Sequence, residues 1–281
     1  MISMSMAFPT PARRCHSALS VLALLAVSIV SAPACAANLA ENPTLLKQRV
    51  AALFAGRYAS TSCYEQPNRE GRPAAAGDLR ITPDGQLVVG PERAALFDPA
   101  GELSFTVDLK ARQLYLDVST GDRMARLAST DDSFRQASIE IGRGSGNVAQ
   151  GRSCGDLDVR GARIVAQPES AAALFAEVYD TGGQTIKGRC HAGRKSGGKD
   201  REASFNVSAK ALVLNGHPLS WPGGLGMVSL GSRMADQQVN GSVEWLSGAN
   251  FHVERGVGPG AAFVSFSFNE AGTEWACSPS P

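Results

Sequence analysis

Apolar and polar residues alternate over many short runs of the chain, which is the pattern of β-strands with one face in solvent. The clearest runs lie at residues 103–109 and 114–118, where every second side chain is apolar. Similar runs in the second half lie at residues 205–207, 211–214, 243–246 and 264–268. Turn sequences separate the runs, for example at residues 83–85, 99–101 and 120–122. Both halves are therefore predicted to be mainly antiparallel β-sheet.

Two segments have a helical period instead. The first begins at Pro43, which suits the first helical position, and is expected to end at Gly56. Its apolar face is formed by Leu46, Val50, Leu53 and Phe54. The second segment begins at Pro168 and continues through the apolar residues 171–176. Each half of the chain is thus predicted to open with a short helix.

An internal repeat relates the two halves. The sequence Leu-Phe-Ala-Gly-Arg-Tyr at residues 53–58 recurs as Leu-Phe-Ala-Glu-Val-Tyr at residues 174–179, an offset of 121 residues. Cysteines recur at similar offsets, Cys63 before Cys190 (127 residues) and Cys154 before Cys277 (123 residues). Landmarks that recur in one order predict a duplicated domain.

The repeat defines the predicted organisation of the chain. A first β domain is expected at residues 42–155, a linker at 156–167 and a second β domain at 168–281. Short strands at this spacing are typical of small antiparallel barrels or sandwiches. We expect two such domains in tandem, each preceded by a short helix and closed by a disulfide.

The cysteines also predict covalent links. Six are encoded, but Cys15 and Cys35 lie in the N-terminal segment that export removes or modifies. Four cysteines in an oxidising compartment indicate two disulfides, and sequence alone leaves three pairings open. The repeat selects Cys63–Cys154 and Cys190–Cys277, because each bridge then joins the first strand of a domain to its last.

Residues 1–36 have the pattern of a secretory signal peptide. Arg13 and Arg14 precede an apolar run at residues 18–30, and small residues follow that run. Cleavage is expected before Ala37. The alternative is a bacterial lipoprotein, in which Cys35 carries the lipid and holds the protein on a membrane. Export is predicted in either case. The richness in alanine, glycine and arginine is typical of Gram-negative bacteria with GC-rich genomes, so the expected location is the periplasm or the medium of such a bacterium.

Net charge excludes one large class of partner. The chain carries a net charge of +1, which becomes −1 when the two signal arginines are removed. Proteins that bind nucleic acid need a concentrated positive surface. No nucleic-acid partner is therefore predicted.

Motifs for catalysis and metal binding are incomplete. Residues 151–155 fit the Gly-x-Ser-x-Gly pattern, but that motif requires a sharp strand-to-helix turn, and no helical pattern follows it here. The histidines of the exported chain are His191, His217 and His252, and none has a metal-ligand spacing. We therefore predict no catalytic residue, no metal and no cofactor.

The densest charged segment lies at residues 187–201. Six of its residues are basic, and Asp200 is its single acid. On a glycine-rich background this segment is expected to form a mobile loop after the first strand of the second domain. The candidate partner-binding residues are Lys187, Arg189, Arg194 and Lys195. One interpretation is a docking surface for an envelope or secreted protein with an acidic surface, and the other is a solvated loop.

A set of features in the second half resembles a known family. These features are Cys190, the strand pair at 205–207 and 211–216, the segments 231–236 and 243–248, and Cys277. Together they are similar to the membrane-bound lysozyme inhibitors of Gram-negative bacteria. The resemblance implies a small β-barrel closed by a disulfide, and a lysozyme as partner. Leu230 and Ser247 stand where the family has its inhibitory serine and lysine, so no inhibitory residue is carried over.

The function predicted from these observations is a non-enzymatic periplasmic binding protein. Its most specific form is an inhibitor or immunity-type partner of an envelope-targeting enzyme such as a lysozyme. One alternative is a lipocalin-like carrier of a small apolar ligand, and another is a hydrolase with an unrecognised site. A filled interior would favour protein binding, whereas an open apolar cavity would favour the carrier.

Overall fold

The structure is a computed structural model that describes most of residues 39–280. The positions outside this description are 59, 61, 68–72, 75–76, 97, 99, 109, 112, 130–135, 145–149, 159–167, 193–199, 222–223 and 234. The predicted signal peptide and Cys35 also lie outside the described residues. The described residues belong to one compact unit.

Both predicted helices are present. Helix α1 spans Pro43–Phe54, and α2 spans Pro168–Tyr179. The side chain of Asn42 caps α1 by accepting a hydrogen bond from the backbone N–H of Leu45 at 3.0 Å, which satisfies one of the free donors at a helix start. A short 3-10 helix, Leu39–Glu41, precedes α1. Neither α-helix is long and apolar enough to cross a bilayer.

The rest of the described chain is mainly β-strand. The first half contains β1 (Gly56–Tyr58), β2 (Ser62–Gln66), β3 (Pro73–Ala74), β4 (Leu79–Ile81), β5 (Gln86–Val89), β6 (Glu92–Ala95), β7 (Glu102–Asp108), β8 (Gln113–Thr120), β9 (Arg123–Ser129), β10 (Gln136–Arg143) and β11 (Gln150–Asp158). The second half contains β12 (Ile186–Ala192), β13 (Asp200–Val207), β14 (Ala211–Leu214), β15 (His217–Ser220), β16 (Leu225–Arg233), β17 (Gln238–Trp245), β18 (Asn250–Gly256), β19 (Phe263–Glu270) and β20 (Thr273–Pro279). Strand β11 extends three residues into the segment predicted as a linker.

Sixteen of the strands form one antiparallel sheet. Its order is β15-β14-β13-β12-β20-β19-β18-β17-β16-β7-β8-β9-β10-β11-β2-β3, and a smaller sheet has the order β1-β4-β5-β6. The prediction of an antiparallel, mainly β protein with two short helices is confirmed. The prediction of tandem barrels is not confirmed. The described strand pairs do not close the sheet on itself, and the pairing of β7 with β16 joins the two halves.

The junction of the two halves is symmetric. Phe105 pairs with Leu230 at its centre, and Glu102–Arg233 and Asp108–Met227 are the pairs at its ends. Positions 102 and 108 of β7 correspond to positions 227 and 233 of β16, which lie 125 residues later. Each residue pair on one side of the centre therefore has an equivalent pair on the other side. The two halves therefore meet through equivalent strands about a local two-fold axis.

Other elements repeat with the same offset. Strand β5 recurs as β14 and β6 recurs as β15, each 125 residues later (86 to 211 and 92 to 217). In both halves the long meander is completed by the strand that carries the first cysteine: β11 pairs with β2, and β20 pairs with β12. The meander and its closing strand are thus present twice, whereas the strands before the meander pair differently, since β4 pairs with β1 and β13 pairs with β12.

Both predicted disulfides are present, Cys63–Cys154 and Cys190–Cys277. In each, the two cysteines are directly opposite one another on neighbouring antiparallel strands. Each bridge therefore fixes the register of the first strand of a half against its last.

Apolar side chains fill the inner side of the sheet and form one core cluster across both halves. In the second half the ring centroid of Phe205 lies 5.1 Å from that of Phe251 and 4.9 Å from that of Phe266. Helix α2 packs on the same core, where the rings of Phe175 and Tyr179 lie against Gly241. A Cβ on Gly241 would come 2.5 Å from the Tyr179 ring, so this close approach requires glycine.

Alkaline pH is expected to destabilise the fold through two buried tyrosines. Burial raises the pKa of both the Tyr58 and the Tyr179 phenol. In the unfolded chain these phenols ionise at about pH 10, whereas in the folded chain they stay protonated. Their contribution to stability is therefore complete below about pH 10 and is lost as the pH rises above it. Each tyrosine contributes at most about 1.4 kcal/mol per pH unit.

Urea unfolding at neutral and alkaline pH measures this effect. Tyr179→Phe should reduce the alkaline loss. At neutral pH it should leave the unfolding free energy unchanged or raised, because the Tyr179 hydroxyl has no hydrogen-bond partner among the described residues. An unchanged alkaline slope in this variant would contradict the assignment.

Candidate functional site

Strand β12 positions two of the four predicted partner-binding residues. Lys187, Arg189 and His191 alternate with the buried residues Gly188 and Cys190, so the three polar side chains lie on one exposed face. The prediction that this part of the basic segment is a loop is wrong. The two-residue period of a strand with one wet face was already present in the sequence, but the surrounding glycines favoured a loop. Arg194 and Lys195 lie outside the described residues.

An acidic residue on the neighbouring strand compensates part of this charge. The Asp200 carboxylate lies 2.9 Å from Arg189 Nη2 and 2.6 Å from His191 Nδ1. These two hydrogen bonds, that from His191 first, hold the pKa of the Asp200 carboxyl below its usual value. The Arg189 side chain nevertheless remains 72% exposed.

The Lys187 ammonium has no hydrogen bond or ion pair within the part of the chain that the structure describes. The structure therefore brings Lys187 and Arg189 onto one rigid face, with Lys187 free and Arg189 partly neutralised. Because Cys190 directly follows Arg189 on β12 and is bonded to Cys277, the backbone that carries both cations is fixed to β20.

Two features of the described residues bear on catalysis, the Gly-x-Ser-x-Gly sequence considered above and a serine–histidine contact that the structure reveals. The Gly-x-Ser-x-Gly sequence lies inside strand β11, and its Cys154 is bonded to Cys63, so the required turn is missing. On the second half, Ser242 Oγ lies 2.8 Å from His252 Nδ1 across β17 and β18. Among the described residues no carboxylate contacts His252 to orient it as a catalytic base.

A groove of about 800 Å³ lies on the polar side of the sheet at the junction of the halves. Register places Asn240, Gly231, Ser104, Asp117 and Arg126 in one row across β17, β16, β7, β8 and β9. Arg126 Nε donates to Asp117 Oδ1 at 2.6 Å, and this hydrogen bond is the main cause of the raised pKa of the Arg126 guanidinium.

Sequence reasoning missed this groove. The alternation of residues 103–109 and 114–118 identifies Ser104 and Asp117 as outward residues. Which residues stand beside them depends on the pairing of β7 with β16, which joins positions more than a hundred residues apart. No local pattern encodes that pairing.

No protein family model matches the chain, and no curated protein sequence shows significant similarity to it. The resemblance to lysozyme inhibitors therefore stays a prediction.

Proposed function

We propose that the protein is a non-enzymatic binding protein of the bacterial envelope, which docks a protein partner with an acidic surface. Its specific form would be an inhibitor or immunity-type partner of an envelope-targeting enzyme. The observation that carries the proposal is the exposed face of β12. There Lys187 and Arg189 project from a strand that a disulfide fixes to its neighbour.

A rigid platform suits this role. The backbone of a strand loses less conformational freedom on binding than the backbone of a mobile loop, so less of the interaction energy is spent on ordering. Arg194 and Lys195 extend the same segment in the sequence and belong to the proposed docking surface.

The packed inner side of the sheet favours protein binding over the carrier function. Phe205, Phe251 and Phe266 are each 1% exposed and fill the second half. A carrier needs an open apolar cavity at this place.

The two disulfides support the proposed compartment, since such bonds persist in oxidising surroundings. Cleavage of a signal peptide before Ala37 and a periplasmic or secreted location complete the proposal, with lipid attachment at Cys35 as the alternative. The repeated meander with its closing disulfide likewise supports origin of the two halves as tandem copies of one domain. A barrel-like closure of each half belongs to the same proposal.

The direct test of the inhibitor function is a lysis assay. Exported protein is added to a panel of lysozymes acting on purified cell walls, and the rate of wall clearance is measured. Inhibition of at least one enzyme at equimolar concentration is expected. No inhibition across the panel would overturn this form of the proposal.

Charge reversal tests the β12 face with the enzyme that is inhibited. Lys187→Glu with Arg189→Glu should slow association about tenfold at low salt, since exposed charges mainly steer the encounter. The difference should shrink at high salt because of screening. Adding Arg194→Glu and Lys195→Glu should enlarge it.

The matched control is Arg143→Glu with Lys210→Glu, which changes the net charge equally at two exposed positions outside β12. It should bind nearly as fast as the wild type. Equal association rates for both double variants would show that only overall charge matters. Thermal unfolding of both should stay close to the wild type, since exposed substitutions usually change stability by no more than about 0.5 kcal/mol.

A further inference from the structure

We propose that the groove at the junction of the two halves is a binding site for a neutral oligosaccharide. This site is separate from the β12 face. Its volume of about 800 Å³ is in the usual range for small-molecule sites.

The floor of the groove depends on a glycine. Gly231 lies between Ser104 and Asn240 in the register, and a Cβ there would come 2.7 Å from Asn240 Oδ1. The residue at the equivalent position of the first half is Thr106, 125 residues earlier. The two ends of the symmetric junction therefore differ, and the groove lies at the end that has glycine.

The chemistry of the two ends differs as well. Asp117 and Arg126 form an ion pair in the groove, whereas the positions equivalent in register at the other end hold Ser242 and His252. The strands pair in the same way at both ends of the junction, so the pairing alone does not require charged residues at these positions. The ion pair is found only at the end that carries the groove.

Several polar groups in the groove are free to bind a ligand. Within the described residues, Glu102, Ser104, Ser119 and the Asn240 amide have no side-chain hydrogen bond or ion pair, and all four line the groove. They supply an acceptor carboxylate, two hydroxyls that donate and accept, and an amide that does both. Sugar hydroxyls also donate and accept, so they match this set.

The charge of the lining is balanced. Its acids are Glu102, Asp117 and Asp122, and its bases are Arg123, Arg126 and Arg233. A strongly anionic or cationic ligand would gain little from such a site. A neutral ligand with many polar groups fits it better.

The backbone around the groove favours a saccharide over an extended peptide. Peptides that add to a sheet bind mainly through free main-chain groups of an edge strand. Strands β7, β8, β16 and β17 each pair with a neighbour on both sides, so their main-chain groups are already used. A ligand in the groove must be recognised by side chains.

The test is calorimetric titration of the exported full chain with chitotriose and maltotriose, with trigalacturonate as an anionic contrast. At least one neutral trisaccharide should bind, and Gly231→Thr should weaken its binding at least tenfold by filling the floor. Ser229→Thr is the matched control, because it lies on the same strand and face two residues away and outside the lining. It should bind like the wild type.

Glu102→Ala and Ser119→Ala provide a second measurement if Gly231→Thr unfolds. Each removes a free ligand-binding group without adding volume, and each should weaken binding severalfold. Failure of both neutral sugars to bind would overturn the proposal, as would binding of the anionic sugar alone. Unchanged affinity in Gly231→Thr, with its fold intact by thermal unfolding, would place the sugar elsewhere. None of these results depends on whether a lysozyme is inhibited.

Discussion

Replacing both Cys190 and Cys277 with serine is expected to lower the free energy of unfolding by about 4.5 kcal/mol. The bridge spans 87 residues, and closing a loop of that length restricts the unfolded chain by roughly this amount in the chain-entropy model. The same bridge fixes β12 against β20 in the folded state. Urea unfolding of the oxidised wild type and the double serine variant measures the difference.

The first half offers a matched comparison. Its bridge, Cys63–Cys154, spans 91 residues and joins equivalent strands, so its removal should cost a similar amount. Reduced wild type should resemble the variant that lacks both bridges. A variant with the wild-type urea midpoint would show that the bridge does not restrict the unfolded chain.

Replacing the buried Arg255 with methionine is expected to cost about 3 kcal/mol or more. Arg255 is 4% exposed. Its Nη1 donates to the carbonyl oxygens of Val178 at 3.1 Å and Asp180 at 3.2 Å. These carbonyls lie at the end of α2, where helical partners are missing. The guanidinium also lies 4.6 Å from the centre of the Phe263 ring.

Methionine would fill much of the volume but remove the donor to the Val178 carbonyl in the last turn of α2. Arg255→Lys, which keeps the charge but cannot donate to several carbonyls in one plane, should lose an intermediate amount. The control is Arg49→Met, whose exposed ion pair with Glu177 joins α1 to α2 and should contribute about 1 kcal/mol at most. Thermal unfolding at neutral pH compares the three variants. An equal loss in Arg255→Met and Arg49→Met would contradict this role of Arg255.

Local features of the fold could be predicted from the sequence. Pro43 and Pro168 each begin a helix as expected, since proline suits the first turn. The alternation at residues 103–109 and 114–118 corresponds to β7 and β8. The disulfide pairing followed from the repeat because equivalent cysteines take equivalent places in both halves.

Long-range pairing could not be predicted. A strand such as β7 shows from its sequence which face is buried but not which strand lies beside it, so the pairing of β7 with β16 and the continuous sheet were missed. The candidate site on β12 likewise could be predicted only in part. Lys187 and Arg189 could be selected from charge density, whereas the compensation by Asp200 depends on the pairing of β12 with β13.

The symmetric junction has a consequence for how the chain avoids self-association. Each half alone would end in an unpaired seven-residue edge, β7 or its equivalent in β16, and exposed edges of that length invite pairing with other molecules. Each edge is complementary to a copy of itself as well as to its counterpart, as in an isologous dimer contact. Because β7 and β16 belong to one chain, the two edges meet each other within the same molecule. The edges can therefore cover each other at any protein concentration, including the low concentration of a newly synthesised chain.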